Sequence, residues 1–296
     1  MKKTAPYHFF TLALLFSLSA CKEQLTLEEL KTFAPVETYP ADNYLDTVQN
    51  KRALIIVAHD DDDCAMSGTI AKLSAKNWDI QQLCLQNHIN PATGQNGSPV
   101  ICKGSRLLLA DRLYRIGLDT MKYPYLPISY ETIDKQFLTE KVRDSLLSKV
   151  NRFHPSVIFT LDDVKGGYGH PEHVFISRLV KKLFEEHKLN CQKIYQSVYT
   201  NHMESEIVDK WLNAKLEKWG YPNASKLANQ LYNVDGMPEP DVEVNILDEA
   251  ETKMKYLKAY DEGTQKNLKK FIPGYDKYDA KTYFGIFNRE FFRIIQ

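Results

Sequence analysis

The sequence predicts an α/β fold: a mainly parallel sheet flanked by helices. Two apolar runs, Leu54-Ile55-Ile56-Val57-Ala58 and Val157-Ile158-Phe159, read as strands buried on both faces, as in parallel sheets covered by helices. Stretches of helical character alternate with such strands along the chain. The first run ends in His59 and four aspartates, Asp60 to Asp63. A polar cluster therefore falls at a strand's carboxyl end, where open α/β sheets place their ligand sites.

The elements follow in order. Residues 54–58 read as the first strand, 67–76 as a helix and 80–85 as a second strand. Residues 86–103 are rich in Asn, Gly and Pro and form a loop long enough to be functional. Residues 105–116 are expected to be helical, stopped by Gly117, and 133–153 to form a long amphipathic helix broken by His154-Pro155. Strand 157–161, a helix over 171–187 opening on Pro171, and strand 194–199 come next. From 201 to 241 the pattern is less regular. Trp211, Trp219, Tyr221 and Tyr232 lie there; they are candidates for an aromatic wall under a sugar ring, although packing is the commoner role of such residues. A strand over 242–247 and a helix over 248–262 complete the pattern. No linker is visible, so residues 40–296 are expected to be one domain.

With 296 residues and 43% apolar content the chain can bury a large core. Lys+Arg and Asp+Glu both number 38, and no long basic run appears, which argues against a nucleic-acid partner. The N-terminus reads as an export signal over residues 1–20. Met1-Lys2-Lys3 is the charged start, and the apolar stretch over 9–18 is too short to span a bilayer. Leu18-Ser19-Ala20-Cys21 resembles a bacterial lipobox, which implies cleavage before Cys21 and lipidation of its sulfur; an ordinary secretory peptide cut near Ala20 is the alternative. On the lipoprotein reading residues 21–39 are a tether, and the protein is exported and held at a membrane on its periplasmic or cell-surface face. The remaining cysteines, Cys64, Cys84, Cys102 and Cys191, match no zinc-knuckle spacing and are expected to be mostly free thiols.

The chemistry gathers in two clusters. Catalytic zinc usually has three protein ligands and one open position. His59 and Asp62 can turn toward one point after the first strand, and His173, from Tyr168-Gly169-His170-Pro171-Glu172-His173, can reach it from the start of a later helix. Asp61 sits beside Asp62 as a base for the attacking water, and His170 is placed to stabilise an intermediate or protonate a leaving amine. Taken singly, four aspartates usually make a solvated loop or a helix cap, with Asp63 a capping candidate, and one H-x-x-H pair is often structural. The pairing of both clusters with buried strands is the stronger sign.

His59-Asp60-Asp61-Asp62 is similar to the A-H-P-D-D signature of the PIG-L/LmbE-like N-acetylglucosaminyl deacetylases, and Tyr168 to His173 to that family's Y-G-H-P-D-H. The strand entry at 153–160 and the Arg-led segment 104–117 also resemble the family, as do, more loosely, residues 256–265 and Glu290-Phe291-Phe292. The resemblance implies a Rossmann-like fold and one zinc ion per chain on His59, Asp62 and His173. It further implies Asp61 as base, His170 and Tyr168 as transition-state partners, and Arg106 as a substrate contact. Asp60 replaces the motif's proline, which removes a fixed φ and adds a charge, and Glu172 replaces an aspartate. The expected function is therefore zinc-dependent removal of an acyl group, acetyl above all, from an amino sugar or glycoside. A glycan-binding lipoprotein of the same fold that does not cleave, and a magnesium-dependent phosphatase using the aspartates, are the alternatives. The second leaves His59, His170 and His173 without a task.

Overall fold

The computed structural model describes residues 25–59, 61–85, 126–137, 139–260 and 262–296, and the backbone of 106–108. Its strands are β1 (Arg52–Val57), β2 (Asp79–Cys84), β3 (Arg106–Leu108), β4 (Val157–Leu161), β5 (Lys193–Val198), β6 (Val242–Asn245) and β7 (Arg289–Ile295). They form one sheet in the order β3-β2-β1-β4-β5-β7-β6. The first five are parallel, β7 runs antiparallel to β5, and β6 pairs antiparallel with β7. The expected α/β architecture is the one observed.

The apolar runs explain the layers. β1 is buried along both faces, and its alternate residues enter two different cores. Ala53, Ile55 and Val57 pack with helix Ser67–Ala75 and the C-terminal helices. Leu54, Ile56 and Ala58 pack with helices Thr139–Phe153 and Pro171–Glu185. Val142, Leu146 and Val150 form the buried stripe of the first of these helices, at the spacing that keeps one helical face on the sheet. Strand order reverses between β1 and β4: the connection after β1 leads to β2 on one side, and that after β4 leads to β5 on the other. That reversal opens a crevice at their carboxyl ends.

Three sequence expectations are corrected, and one strand is added. The helix expected over 105–116 is replaced, where the structure describes it, by β3. Its backbone pairs in parallel with Gln82–Cys84, and sheet pairing overrides the helical preference of the Leu run. Residues 109–116 lie outside the described residues. The long helix over 133–153 is two helices, Tyr130–Gln136 and Thr139–Phe153. Phe137 turns extended between them, and its buried ring stacks on Phe175 with centroids 4.6 Å apart. Residues 289–295, not read as a strand, form β7. The expected tether over 21–39 is, from Leu25 on, part of the packed body. Helix Leu27–Lys31 carries a Thr26/Glu29 capping box. Leu30 and Phe33 are buried in the core, and the Arg289 guanidinium donates to the carbonyls of Glu37 (2.9 Å) and Pro35 (3.2 Å). Leu27, Leu30 and Phe33 follow a three-residue spacing, a helical stripe within a largely polar segment.

Among the described residues Cys64, Cys84 and Cys191 are free thiols, as expected, and no helix is long and apolar enough to cross a membrane. Of the four aromatic residues of 201–241, Trp211, Tyr221 and Tyr232 serve packing. Trp211 meets Phe33 edge-on at 5.6 Å, and Tyr232 stacks on Tyr130 at 4.4 Å. Trp219 lies half exposed beneath the Lys270 ammonium.

Candidate active site

The crevice between β1 and β4 brings the two clusters together. After β1 the chain makes a tight turn in which the His59 amide donates to Asp62 Oδ2 (2.8 Å). That bond leaves Asp62 Oδ1 facing inward. After β4, buried Asp162 organises the opposite loop by accepting from the amides of Val164 (3.1 Å), Lys165 (2.6 Å) and Gly167 (2.7 Å). Burial nevertheless pushes the Asp162 carboxyl above its usual range. Gly166 holds φ +57° there. A Cβ on it would lie 2.7 Å from that of His173, so the close approach that seats His173 requires glycine.

Three ligand atoms converge on one point. His59 Nδ1 lies 3.0 Å from His173 Nε2 and 3.4 Å from Asp62 Oδ1, and His173 Nε2 lies 3.1 Å from Asp62 Oδ1. The outward ring nitrogens are both engaged. His59 Nε2 meets the buried Glu172 carboxylate at 2.7 Å, and His173 Nδ1 meets the Gly166 carbonyl at 3.0 Å. Both acceptors take an N–H, so in the neutral tautomers two lone pairs and a carboxylate oxygen face one another. A positive charge must stand among them, either a proton or a metal ion. Burial opposes protonation of His59, but Asp62 and Glu172 outweigh it and hold the imidazole well above its usual range. Burial also opposes ionisation of Asp62, and His173 and His59 outweigh it, holding the carboxyl well below the usual carboxylate range.

The donor set fits a small divalent cation. Bonds of about 2.0–2.2 Å in tetrahedral geometry give edges of roughly 3.3–3.6 Å between ligand atoms, a few tenths of an ångström from the observed 3.0, 3.1 and 3.4 Å. A carboxylate and a backbone carbonyl behind the two histidines are the outer partners that orient metal-binding imidazoles. Asp61 and His170 stand beside this set. The sets His59/His170/His173 and His59/Asp61/Asp62 each have ligand atoms within 4.8 Å of one another. His170, however, caps helix Pro171–Glu185 by accepting the Glu172 amide on Nδ1 (3.3 Å), which leaves its proton on Nε2. Its ring stacks on His173 at 4.6 Å, and Tyr168 meets His173 edge-on at 5.5 Å.

A cavity of about 330 Å³ opens on this cluster, lined by Asp61, Tyr168 and His170 as well as the three converging residues. The structure thus brings together His59, Asp61, Asp62, Tyr168, His170 and His173. It places Arg106 on edge strand β3, where only the backbone is described. Asp60 and Cys21 lie outside the described residues. Asp63 does not cap the following helix. It is buried and accepts from the hydroxyls of Tyr256 and Tyr260 (the latter at 3.0 Å), because the turn points it into the core. Two further roles went unread in the sequence. Glu172 is the partner of His59, and Asp162 builds the second loop; the latter repeats the sign that marked the first cluster, an acidic residue just after a buried strand.

Residues 54–184 match the PIG-L family, GlcNAc-PI de-N-acetylase. The PIG-L segment covers a little under half of the chain and contains both clusters. A search of curated proteins gives no match. Among solved structures, N,N'-diacetylchitobiose deacetylase from Pyrococcus horikoshii is similar at 18% identity and a TM-score of 0.41, over 86% of this chain and 89% of its own. The A40926 pseudoaglycone deacetylase is similar at 14% identity and a TM-score of 0.45, over 83% of this chain and 98% of its own. A 4-carboxy-2-hydroxymuconate hydratase from Pseudomonas putida KT2440 is similar at 13% identity and a TM-score of 0.41, over 83% and 96%.

Proposed function

We propose that this chain is a metal-dependent amide hydrolase that removes an N-acyl group from an amino sugar or its glycoside, with one zinc ion on His59, Asp62 and His173. The observation that carries the reading is the convergence of two imidazole lone pairs and a carboxylate oxygen whose outward partners are already fixed. The PIG-L match over the same residues agrees with it. Bound there, zinc supplies Lewis acidity toward the scissile carbonyl and acidifies water. Asp61, at the cavity wall, accepts the proton of the attacking water. His170, neutral with its proton on Nε2, donates to the developing oxyanion, and Tyr168 packs against both histidines beside it. Asp62, Glu172 and Gly166 hold the imidazoles in register. The test is metal analysis of the purified protein, followed by a free-amine assay over N-acylated sugars, from acetyl to longer acyl groups. About one zinc per chain and chelator-sensitive amine release are expected, with metal lost in His173→Ala. Full occupancy in that variant refutes the ligand set, and glycan binding without turnover refutes the hydrolase.

The Lys2-Lys3 start and the Leu18–Cys21 motif support a second part of the reading, export and anchoring through a lipid on Cys21. Labelled fatty acid should enter the wild type and not Cys21→Ser. Equal labelling rules the anchor out.

A further inference from the structure

The cavity at the active site meets the His59/Asp62/His173 cluster at one end. Away from it the wall is mainly apolar, built by Val198, Met203, Ile207, Leu268, Phe271 and Phe284, all buried or nearly so. Two of these come from one helical stretch at 203–212, whose turns over Glu204–Leu212 are of the wide π type, a local irregularity often found at functional sites. Most of the polar side chains that reach this wall are already spent on the protein, Asn267 accepting from Lys270 (2.8 Å) among them. Tyr199 donates to the Phe271 carbonyl (3.2 Å) and Tyr283 to the Pro273 carbonyl (3.1 Å). Lys253 is paired with Glu290, and Arg289 with Glu243 (2.7 Å). A sugar ring pushed into this region would leave several hydroxyls buried without partners, at a cost of about 1–3 kcal/mol each. A hydrocarbon chain would not.

We propose, building on the amide-hydrolase reading, that the group removed is a medium-length fatty acyl chain. Its carbonyl sits at the His59/Asp62/His173 cluster and its tail lies in the apolar wall, while the amino sugar stays on the outer, polar side. Water supplies hydroxide to the acyl carbon and a proton to the nitrogen as the C–N bond breaks, giving a free fatty acid and a free amino sugar. The cavity is about 330 Å³. That is roughly twice the ~150 Å³ that takes a benzene molecule, so about a dozen chain atoms fit.

The experiment compares glucosamine bearing acetyl, hexanoyl, octanoyl, decanoyl or dodecanoyl amides, with release of primary amine by the metal-loaded full chain as readout. We expect kcat/KM to rise roughly three- to fourfold per added methylene until the cavity is filled, then to fall. Ile207→Phe, and separately Met203→Phe, should move the preferred length to shorter chains. The wild-type series stands even if either variant fails to fold. Acetyl cleaved as fast as every longer chain overturns the proposal and leaves the amide hydrolase standing. A gain that follows the length of an alkyl aglycone on N-acetylglucosaminides, and not the acyl length, also overturns it. No cleavage of any amide removes both readings together.

Discussion

Asp61 and Asp62 are identical neighbours with different surroundings. Asp62 accepts the His59 amide on one oxygen and turns the other between two imidazoles. Asp61 reaches the cavity wall instead. Their removal should therefore differ in kind. Asp62→Ala should lose metal, since it deletes a ligand. Asp61→Ala should keep the metal and lose turnover by roughly a hundredfold or more, the usual size of a general-base contribution. Metal content and amine release, measured side by side, decide it. The reverse pattern would mean that the register through the aspartates is shifted.

At the scale of one element, the loop after β4 carries the second half of the site on its glycines. Gly166→Ala puts a Cβ 2.7 Å from that of His173 and 2.9 Å from the Val174 amide nitrogen, at φ +57°. Gly167→Ala has φ +82° but meets nothing within 4 Å. Both variants bear the cost of a positive φ, and Gly167, at φ +82° and ψ −61°, sits in the strained γ-turn region. Only Gly166→Ala must also displace His173, so it should lose metal affinity by tenfold or more while Gly167→Ala keeps it. Thermal melts with metal titration separate the two effects, and equal affinities would show that His173 is not held by this close approach. These loops were readable because buried apolar runs set β1 and β4 and the polar residues follow them directly. The Leu run after Arg106 was not, since its pairing with β2 depends on a partner distant in sequence. Nor was the break at Phe137, which turns on a ring stacking against Phe175, a tertiary contact with no local sign. The carboxylate behind His59 stayed hidden for the same reason: Glu172 lies 113 residues along the chain.

For the whole molecule, the segment before residue 40 is a structural member. Leu30 and Phe33 enter the same core as β1, and the Tyr39 amide donates to the carboxylate of Glu243 in β6 (3.1 Å). Exposing two such side chains costs about 3–6 kcal/mol at 1.5–3 kcal/mol each. A chain beginning at Pro40 should unfold at a clearly lower urea concentration than one beginning at Leu25. Coincident midpoints would restore the tether reading for these residues.

One contact has a bearing on how such a chain is made. Glu290, at the start of β7, accepts from the Gly68 and Thr69 amides at 2.7 Å each and pairs with Lys253. The helix that follows the His59 turn is thus clasped by a residue synthesised more than two hundred positions later. β6 likewise emerges before the strand that joins it to the rest of the sheet. Synthesis therefore delivers the His59 turn long before its clasp. Until β7 arrives, β5 presents an open edge and Lys253 lacks its carboxylate partner.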